Sequence, residues 1–143
     1  NFFVNMPAMS HRVLFWQQKK MGVEGLLYWS TTWWNAAQGI EDPWTNMMTV
    51  PEINKNIFGD GSLMYPGKKV GIDGPVSSLR LEMVRDGLED FDYLTIAEKL
   101  LGADAVNGYI DKIAKTLTDW EKDPMKLESV RKDLGNAIDK ASK

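Results

Sequence analysis

The hydrophobic positions of this chain change their spacing several times. From Arg12 to Lys20, Phe15 and Trp16 fall on one side, which predicts a short helix that ends at Gly22. The next segment, Val23 to Trp29, is almost continuously apolar, a pattern typical of a strand covered on both faces as in a parallel sheet. A helix followed by a buried strand indicates an α/β fold.

A long segment without lasting periodicity follows. Thr31 to Asp60 contains prolines, glycines and several asparagines, so we predict a structured loop, and loops of such length are usually functional. A second short strand is predicted at about Gly61 to Tyr65, and the Pro66-Gly67 pair closes it as a turn.

Helical spacing returns at Val76 and continues to Leu94, with Ser77 or Ser78 available as the cap. Gly87 weakens this helix by about 1 kcal/mol relative to alanine, and close packing against a neighbour would explain it. Four charged residues near the helix start are spaced to pair with one another and are expected to anchor it: Arg80, Glu82, Arg85 and Asp86.

Two further amphipathic segments predict a C-terminal helical pair. The first runs from Asp104 to Glu121, and the second follows Asp123-Pro124, a cap with a first-position proline. The apolar stripe of the first contains Val106, Tyr109, Ile110, Ile113, Leu117 and Trp120, and that of the second Leu127, Val130, Leu134 and Ile138.

Four of the six tryptophans are concentrated in one part of the chain: Trp29, Trp33, Trp34 and Trp44. Exposed indole faces stack on flat, weakly polar molecules, and a sugar ring has such a face with hydroxyls at its rim. Asn35, Asp42 and Asp60 are candidate partners for those hydroxyls. The alternative is an aromatic core, which has more weight for Trp34 than for the other indoles.

Composition argues against nucleic-acid binding and excludes some kinds of metal site. The 143 residues suit one domain, and a net charge of −3, with scattered Lys and Arg, argues against nucleic-acid binding. No apolar run reaches the roughly 18 residues that span a membrane. The chain has no cysteine and a single histidine, His11, so thiolate and multi-histidine metal sites are excluded. We expect His11 to be a surface or capping residue, with a catalytic histidine as the alternative, and we expect no cofactor.

Four motifs in order resemble a known family. They are Gly25-Leu26-Leu27-Tyr28-Trp29, Asp42-Pro43-Trp44, Gly59-Asp60-Gly61 with Tyr65-Pro66-Gly67, and the segment from Ser77 to Leu94. Over roughly residues 1 to 100, the chain is similar to the C-terminal portion of glycoside hydrolase family 123-like proteins, once catalogued as a domain of unknown function.

The resemblance implies a (β/α)8 TIM-like barrel that acts on terminal N-acetylgalactosamine. Residues 1–102 would form its last two βα units, with Val23 to Trp29 and about Gly61 to Tyr65 as strands, and residues 103–143 the helical pair. Because such barrels build their sites at the C-terminal ends of the strands, the expected substrate-binding residues are Trp29, Trp33, Asn35, Trp44 and Asp60.

The resemblance also implies substrate-assisted retention, in which an Asp orients the acetamido group and the adjacent Glu is the general acid. This sequence offers only Glu41-Asp42 and Glu89-Asp90, both in the reverse order, so we expect no catalytic residue here and place the pair upstream of residue 1. A non-catalytic carbohydrate-binding module and a structural fragment remain the alternatives.

The partners follow from the same reasoning. We expect a carbohydrate substrate and, for the apolar strand faces, either the N-terminal part of a longer parent chain or a second copy. We expect neither nucleic acid nor membrane as a partner. The family resemblance favours a periplasmic or secreted location over a cytoplasmic one.

Overall fold

The computed structural model describes residues 1–34, 42–47 and 56–143. Their elements in chain order are α1 (Ala8–Lys20), β1 (Met64–Pro66), a 3-10 turn (Gly67–Val70), β2 (Pro75–Ser77), α2 (Leu79–Leu101), α3 (Ala103–Ile113) and α4 (Pro124–Ala141). Within these ranges the fold is mixed α/β, with four α-helices and a two-stranded sheet.

The chain forms two compact units. We call Asn1–Ala8 with Leu26–Glu82 the aromatic unit, and Met9–Gly25 with Met83–Lys143 the helical unit. The predicted division between residues 102 and 103 stays a prediction.

The helical unit has the core that the helical stripes predict. Its members come from all four helices and are almost fully buried; they include Val13, Trp16, Leu94, Val106, Ile110, Ile113, Leu127 and Leu134. Gly87 lies against Phe15, so closely that an added Cβ would collide with that ring. The expectation that close packing explains this glycine is therefore confirmed.

The start of α2 and the end of α3 differ from prediction. Val76 belongs to β2, and α2 begins at Leu79, where the Ser78 hydroxyl accepts a hydrogen bond from the Leu81 N–H at 3.2 Å. The helix predicted to reach Glu121 ends at Ile113. Thr116 explains this early end because its hydroxyl accepts from the N–H groups of residues 118 and 119, a local alternative to helical bonding.

The last helix begins as predicted. The Asp123 carboxylate accepts from the Met125 N–H at 2.9 Å, and Pro124 occupies the first helical position. Leu117, predicted to lie on the stripe of the preceding helix, is exposed.

The first predicted strand is wrong. Val23 to Trp29 has no regular structure, and its side chains are not buried: Leu27 is 88% exposed. A strand is stable only when neighbouring strands pair with its N–H and C=O groups. Within the described residues no strand pairs with this segment.

The second predicted strand is shifted and differently paired. β1 begins at Met64 and pairs antiparallel with β2, with Tyr65 opposite Val76, so it is not one of two parallel strands. The connection turns back sharply, and the Gly67 N–H donates to the Gly74 carbonyl at 3.0 Å. Gly74 has a positive φ of 99°, which favours glycine, and the glycine-rich connection thereby produces a hairpin.

Candidate functional site

A tight turn, Gly59-Asp60-Gly61-Ser62, organises the aromatic unit, and we call it the GDGS turn. The Ser62 N–H donates to the Gly59 carbonyl at 3.1 Å, and Gly61 at the third position has a φ of 72°. Positive φ at that position characterises a type II turn and favours glycine. Asp60 therefore lies at a fixed corner of the chain.

Tyr28 binds both the side chain and the backbone of this turn. Its hydroxyl donates to Asp60 Oδ1 at 3.1 Å and accepts from the Gly61 N–H at 2.7 Å. Burial, together with the neighbouring Asp60 carboxylate, raises the pKa of Tyr28 to about 12, although the Gly61 bond and the Arg80 charge oppose the shift. Tyr28 is thus held as a neutral donor to Asp60.

Trp29 and Trp33 lie together on the GDGS turn. The Trp29 indole N–H donates to Asp60 Oδ1 at 3.2 Å, and its ring meets Trp33 edge-on with centroids 4.9 Å apart. Trp33 is tied through its backbone: its N–H donates to the Gly61 carbonyl, and its carbonyl accepts from the Ser62 hydroxyl. Trp29 nevertheless remains 48% exposed, so the pair presents an oriented aromatic surface.

The close approach of Trp29 to the turn depends on a missing side chain. A Cβ at Gly61 would collide with the six-membered part of the Trp29 ring and would lie 2.9 Å from the Trp33 Cβ. Gly61 therefore serves two purposes, the positive φ of the turn and the space for the indole.

The other two indoles of the cluster bind strand β1. The Trp34 N–H donates to the Met64 carbonyl at 2.8 Å, and the Trp44 N–H donates to the Pro66 carbonyl at 2.9 Å. Because Met64 and Pro66 are two residues apart on one strand, their carbonyls point to the same side. Trp34 is only partly exposed. Trp44 is 38% exposed and packs on Tyr65 with ring centroids 4.7 Å apart.

Asp42, a candidate rim residue, lies beside Trp44 in sequence. Its carboxylate pairs with Lys69 and accepts from the backbone N–H of Trp44 and the Thr45 hydroxyl. The Lys69 hydrogen bond is the main cause that lowers the pKa of Asp42. Asp42 thus stabilises the local turn. Asn35 lies outside the described residues, so its predicted role stays a prediction.

The histidine prediction is wrong. His11 is 1% exposed, although a surface or capping position was expected, because α1 extends further toward the N-terminus than Arg12 and turns this residue inward. The Ser10 hydroxyl lies 3.5 Å from its Nδ1.

The helical unit contains a buried charged cluster around Asp90. This carboxylate, 0% exposed, accepts from Arg12 at 2.7 and 3.0 Å, from the Trp16 indole at 2.9 Å and from Arg131 at 2.7 Å. Burial acts to lower the pKa of Arg12, but Asp90 and Glu128 outweigh it and raise the pKa above its usual value. Asp90 therefore balances the charges of Arg12 and Arg131 inside the helical unit.

Two residues of the aromatic unit bind the GDGS turn although the sequence did not identify them as site residues. Tyr28 was part of a family motif but was not proposed as a site residue. Arg80 was expected to join an ion-pair network, but instead it donates to the backbone carbonyls of Phe2, Gly59 and Ser62. The Gly-Asp-Gly sequence could have indicated the role of Arg80, because it predicts a turn whose backbone carbonyls need a hydrogen-bond donor.

Across residues 1–34, 42–47 and 56–143, no group of three or more His, Asp or Glu side chains is arranged to hold a metal ion. Within the same ranges, no helix combines the length and the apolar character needed to cross a bilayer.

Trp29 and Trp33 thus form a partly exposed indole pair held on the turn that carries Asp60. Residues 1–97 match the family described as glycoside hydrolase 123, catalytic domain. The chain therefore belongs to this family, and the resemblance inferred from its motifs is confirmed. A comparison with curated proteins gave no match.

Proposed function

We propose that this chain contributes the substrate-binding wall of a glycosidase that acts on terminal N-acetylgalactosamine. Trp29 would stack on the apolar face of the sugar, Trp33 would support it from the side, and Asp60 would accept a hydroxyl hydrogen bond at the rim. Trp44, which is also exposed, would provide a second aromatic surface.

The geometry of Trp29 supports this proposal most. An indole that is present only to fill a core is buried, whereas Trp29 is 48% exposed and is still held by the Asp60 bond, the Trp33 edge contact and the glycine beneath it. A side chain restrained in this way loses little conformational freedom when a ligand binds, which favours recognition.

The chemistry we assign to the parent enzyme is substrate-assisted retention. The acetamido oxygen of the sugar would attack the anomeric carbon, an Asp would orient it, and the adjacent Glu would protonate the leaving oxygen. No Asp-Glu dipeptide exists in this sequence, so we place the pair outside these 143 residues.

The exposed apolar segment supports a partner proposal. Leu26 is 47% and Leu27 is 88% exposed, and the two residues lie just before Tyr28 in the chain. We propose that barrel strands of the parent chain, or a second copy, cover them. Sedimentation that shows a monomer at every concentration, with no binding of an apolar dye, would contradict this partner proposal.

The function is tested by calorimetric titration of the chain with an oligosaccharide that ends in N-acetylgalactosamine. We expect saturable binding that Trp29→Ala abolishes. Leu27→Ala is the matched control, because it truncates an even more exposed side chain two positions away and should retain wild-type affinity.

The same preparations distinguish binding from catalysis. We expect no release of chromophore from an aryl N-acetylgalactosaminide by the isolated chain. Release would contradict the external location of the catalytic pair. Equal affinity of wild type and Trp29→Ala would contradict the binding role of the indole.

A further inference from the structure

Arg80, the second residue of α2, is buried in the aromatic unit and binds only backbone oxygens among its described hydrogen bonds. Its Nη1 donates to the carbonyls of Phe2 and Gly59, both at 2.7 Å, and its Nη2 donates to the Ser62 carbonyl. Gly59 and Ser62 are the first and last residues of the GDGS turn. One guanidinium thus holds both ends of the turn that carries Asp60.

The turn connects Arg80 to the aromatic surface through a short series of contacts. Asp60 lies between the two held carbonyls, and its Oδ1 accepts from Tyr28 and Trp29. The Gly61 N–H donates to the Tyr28 hydroxyl. A displacement of the turn would therefore move the acceptor that orients the Trp29 indole.

We propose that Arg80 is the positioning residue of the sugar-binding surface: by holding the Gly59 and Ser62 carbonyls, it fixes Asp60 and, through Asp60, the Trp29 indole. This role rests on the proposed function of Trp29. Arg80 itself does not touch the sugar.

The planar guanidinium is required for this role. It presents several N–H donors in a rigid fork, so two nitrogens reach carbonyls on different residues at once. A lysine ammonium keeps the positive charge but is a compact group on a flexible stem and does not reproduce the fork. Arg80→Lys therefore removes the geometry while it keeps the charge.

The test compares Arg80→Lys with Arg85→Lys, an exposed arginine five positions further along the same helix. Two readouts do not require any sugar: the Tyr28 titration followed by tyrosinate absorbance against a Tyr28→Phe reference, and the Trp29 indole N–H resonance. A third readout is affinity for the oligosaccharide that ends in N-acetylgalactosamine.

We expect Arg80→Lys to lower the pKa of Tyr28 from about 12 toward its ordinary value, because a displaced turn exposes the hydroxyl to water. The Trp29 resonance should shift toward that of a solvated indole, and affinity should fall by about tenfold or more. Arg85→Lys should change none of the three. A pKa of Tyr28 and an indole resonance that stay at wild-type values would overturn the proposal.

A second variant perturbs the same contact while Arg80 is retained. An added Cβ at Gly59 would lie 2.7 Å from a Val4 methyl group, 2.8 Å from Nη1 and 3.0 Å from Nη2, so Gly59→Ala should displace the guanidinium together with the Val4 side chain. Gly71→Ala is its control, because Gly71 has a similar φ of 76° with open space around it. We expect only Gly59→Ala to reproduce the Arg80→Lys shifts.

The outcomes separate the two proposals. If the wild-type chain binds no oligosaccharide, the proposed function fails, while the Tyr28 and Trp29 readouts still decide whether Arg80 positions the turn. If the wild type binds and both variants bind equally well, the positioning role is overturned. Complete unfolding of both variants would assign Arg80 to general stability and would also overturn it.

Discussion

Truncation of Trp29 separates a binding residue from a packing residue. A fully buried large aromatic costs about 3–5 kcal/mol when it is replaced by alanine. Trp29 is 48% exposed, so it makes about half of the packing contacts of a fully buried tryptophan. We therefore expect Trp29→Ala to lower the free energy of unfolding by about 2 kcal/mol. Its indole bond to Asp60 is exposed, so water can replace it.

Trp16 provides the matched comparison. It is 0% exposed, and its indole donates to the buried Asp90, so Trp16→Ala should cost about 5 kcal/mol, the upper end of the range. Equilibrium urea denaturation followed by circular dichroism measures both losses. The binding loss should be confined to Trp29→Ala. A stability cost for Trp29→Ala equal to that for Trp16→Ala, with normal sugar affinity in the folded fraction, would refute the reasoning.

Three further perturbations have clear expectations. Gly61→Ala should displace the Trp29 ring and reduce sugar affinity, whereas Gly71→Ala should not, which titration calorimetry measures; equal affinities would contradict the close packing. Asp90→Asn should cost about 3–5 kcal/mol in urea denaturation because it leaves buried arginine charge uncompensated, and a cost below about 1 kcal/mol would contradict the burial of the cluster. The pKa of Tyr28 is about 12 in the folded state and about 10 in the unfolded state. The stability that the protonated Tyr28 hydroxyl contributes is therefore complete below pH 10 and is lost as the pH rises toward 12. We expect this loss of unfolding free energy at alkaline pH to be about 1–2 kcal/mol after allowance for partial exposure, and Tyr28→Phe should remove it. If the pH dependence of stability is unchanged in Tyr28→Phe, the raised pKa of Tyr28 is contradicted.

The helices could be predicted because the spacing of apolar residues and the capping residues that define them lie within the same short stretch of sequence. Apolar residues at helical spacing identified α4 and most of α2, and the Asp123-Pro124 cap identified a helix start. Thr116 could not be recognised as an end signal from spacing alone, because its side chain competes with the helix through hydrogen bonds that periodicity does not reveal.

The strands could not be predicted in the same way. An apolar run such as Val23 to Trp29 indicates that a segment favours a buried environment, but pairing depends on which neighbours are present. The Gly67 to Gly74 connection selected an antiparallel hairpin for β1, which spacing of apolar residues did not indicate.

The candidate site was predictable in part. Trp29, Trp33 and Asp60 come together as a group, which their positions in the sequence suggested. Tyr28 and Arg80 escaped recognition because their roles depend on backbone groups of the GDGS turn, and backbone partners leave no pattern of side chains in the sequence.

The central claim is that the GDGS turn and its indoles bind the sugar, and the six indole N–H resonances of the chain test it most directly. Titration of the labelled chain with an oligosaccharide that ends in N-acetylgalactosamine should shift the Trp29 and Trp33 resonances saturably. The Trp16 and Trp120 resonances, which belong to the helical unit, should remain in place. Saturable shifts confined to the helical unit, or no shift at any indole, would contradict the account.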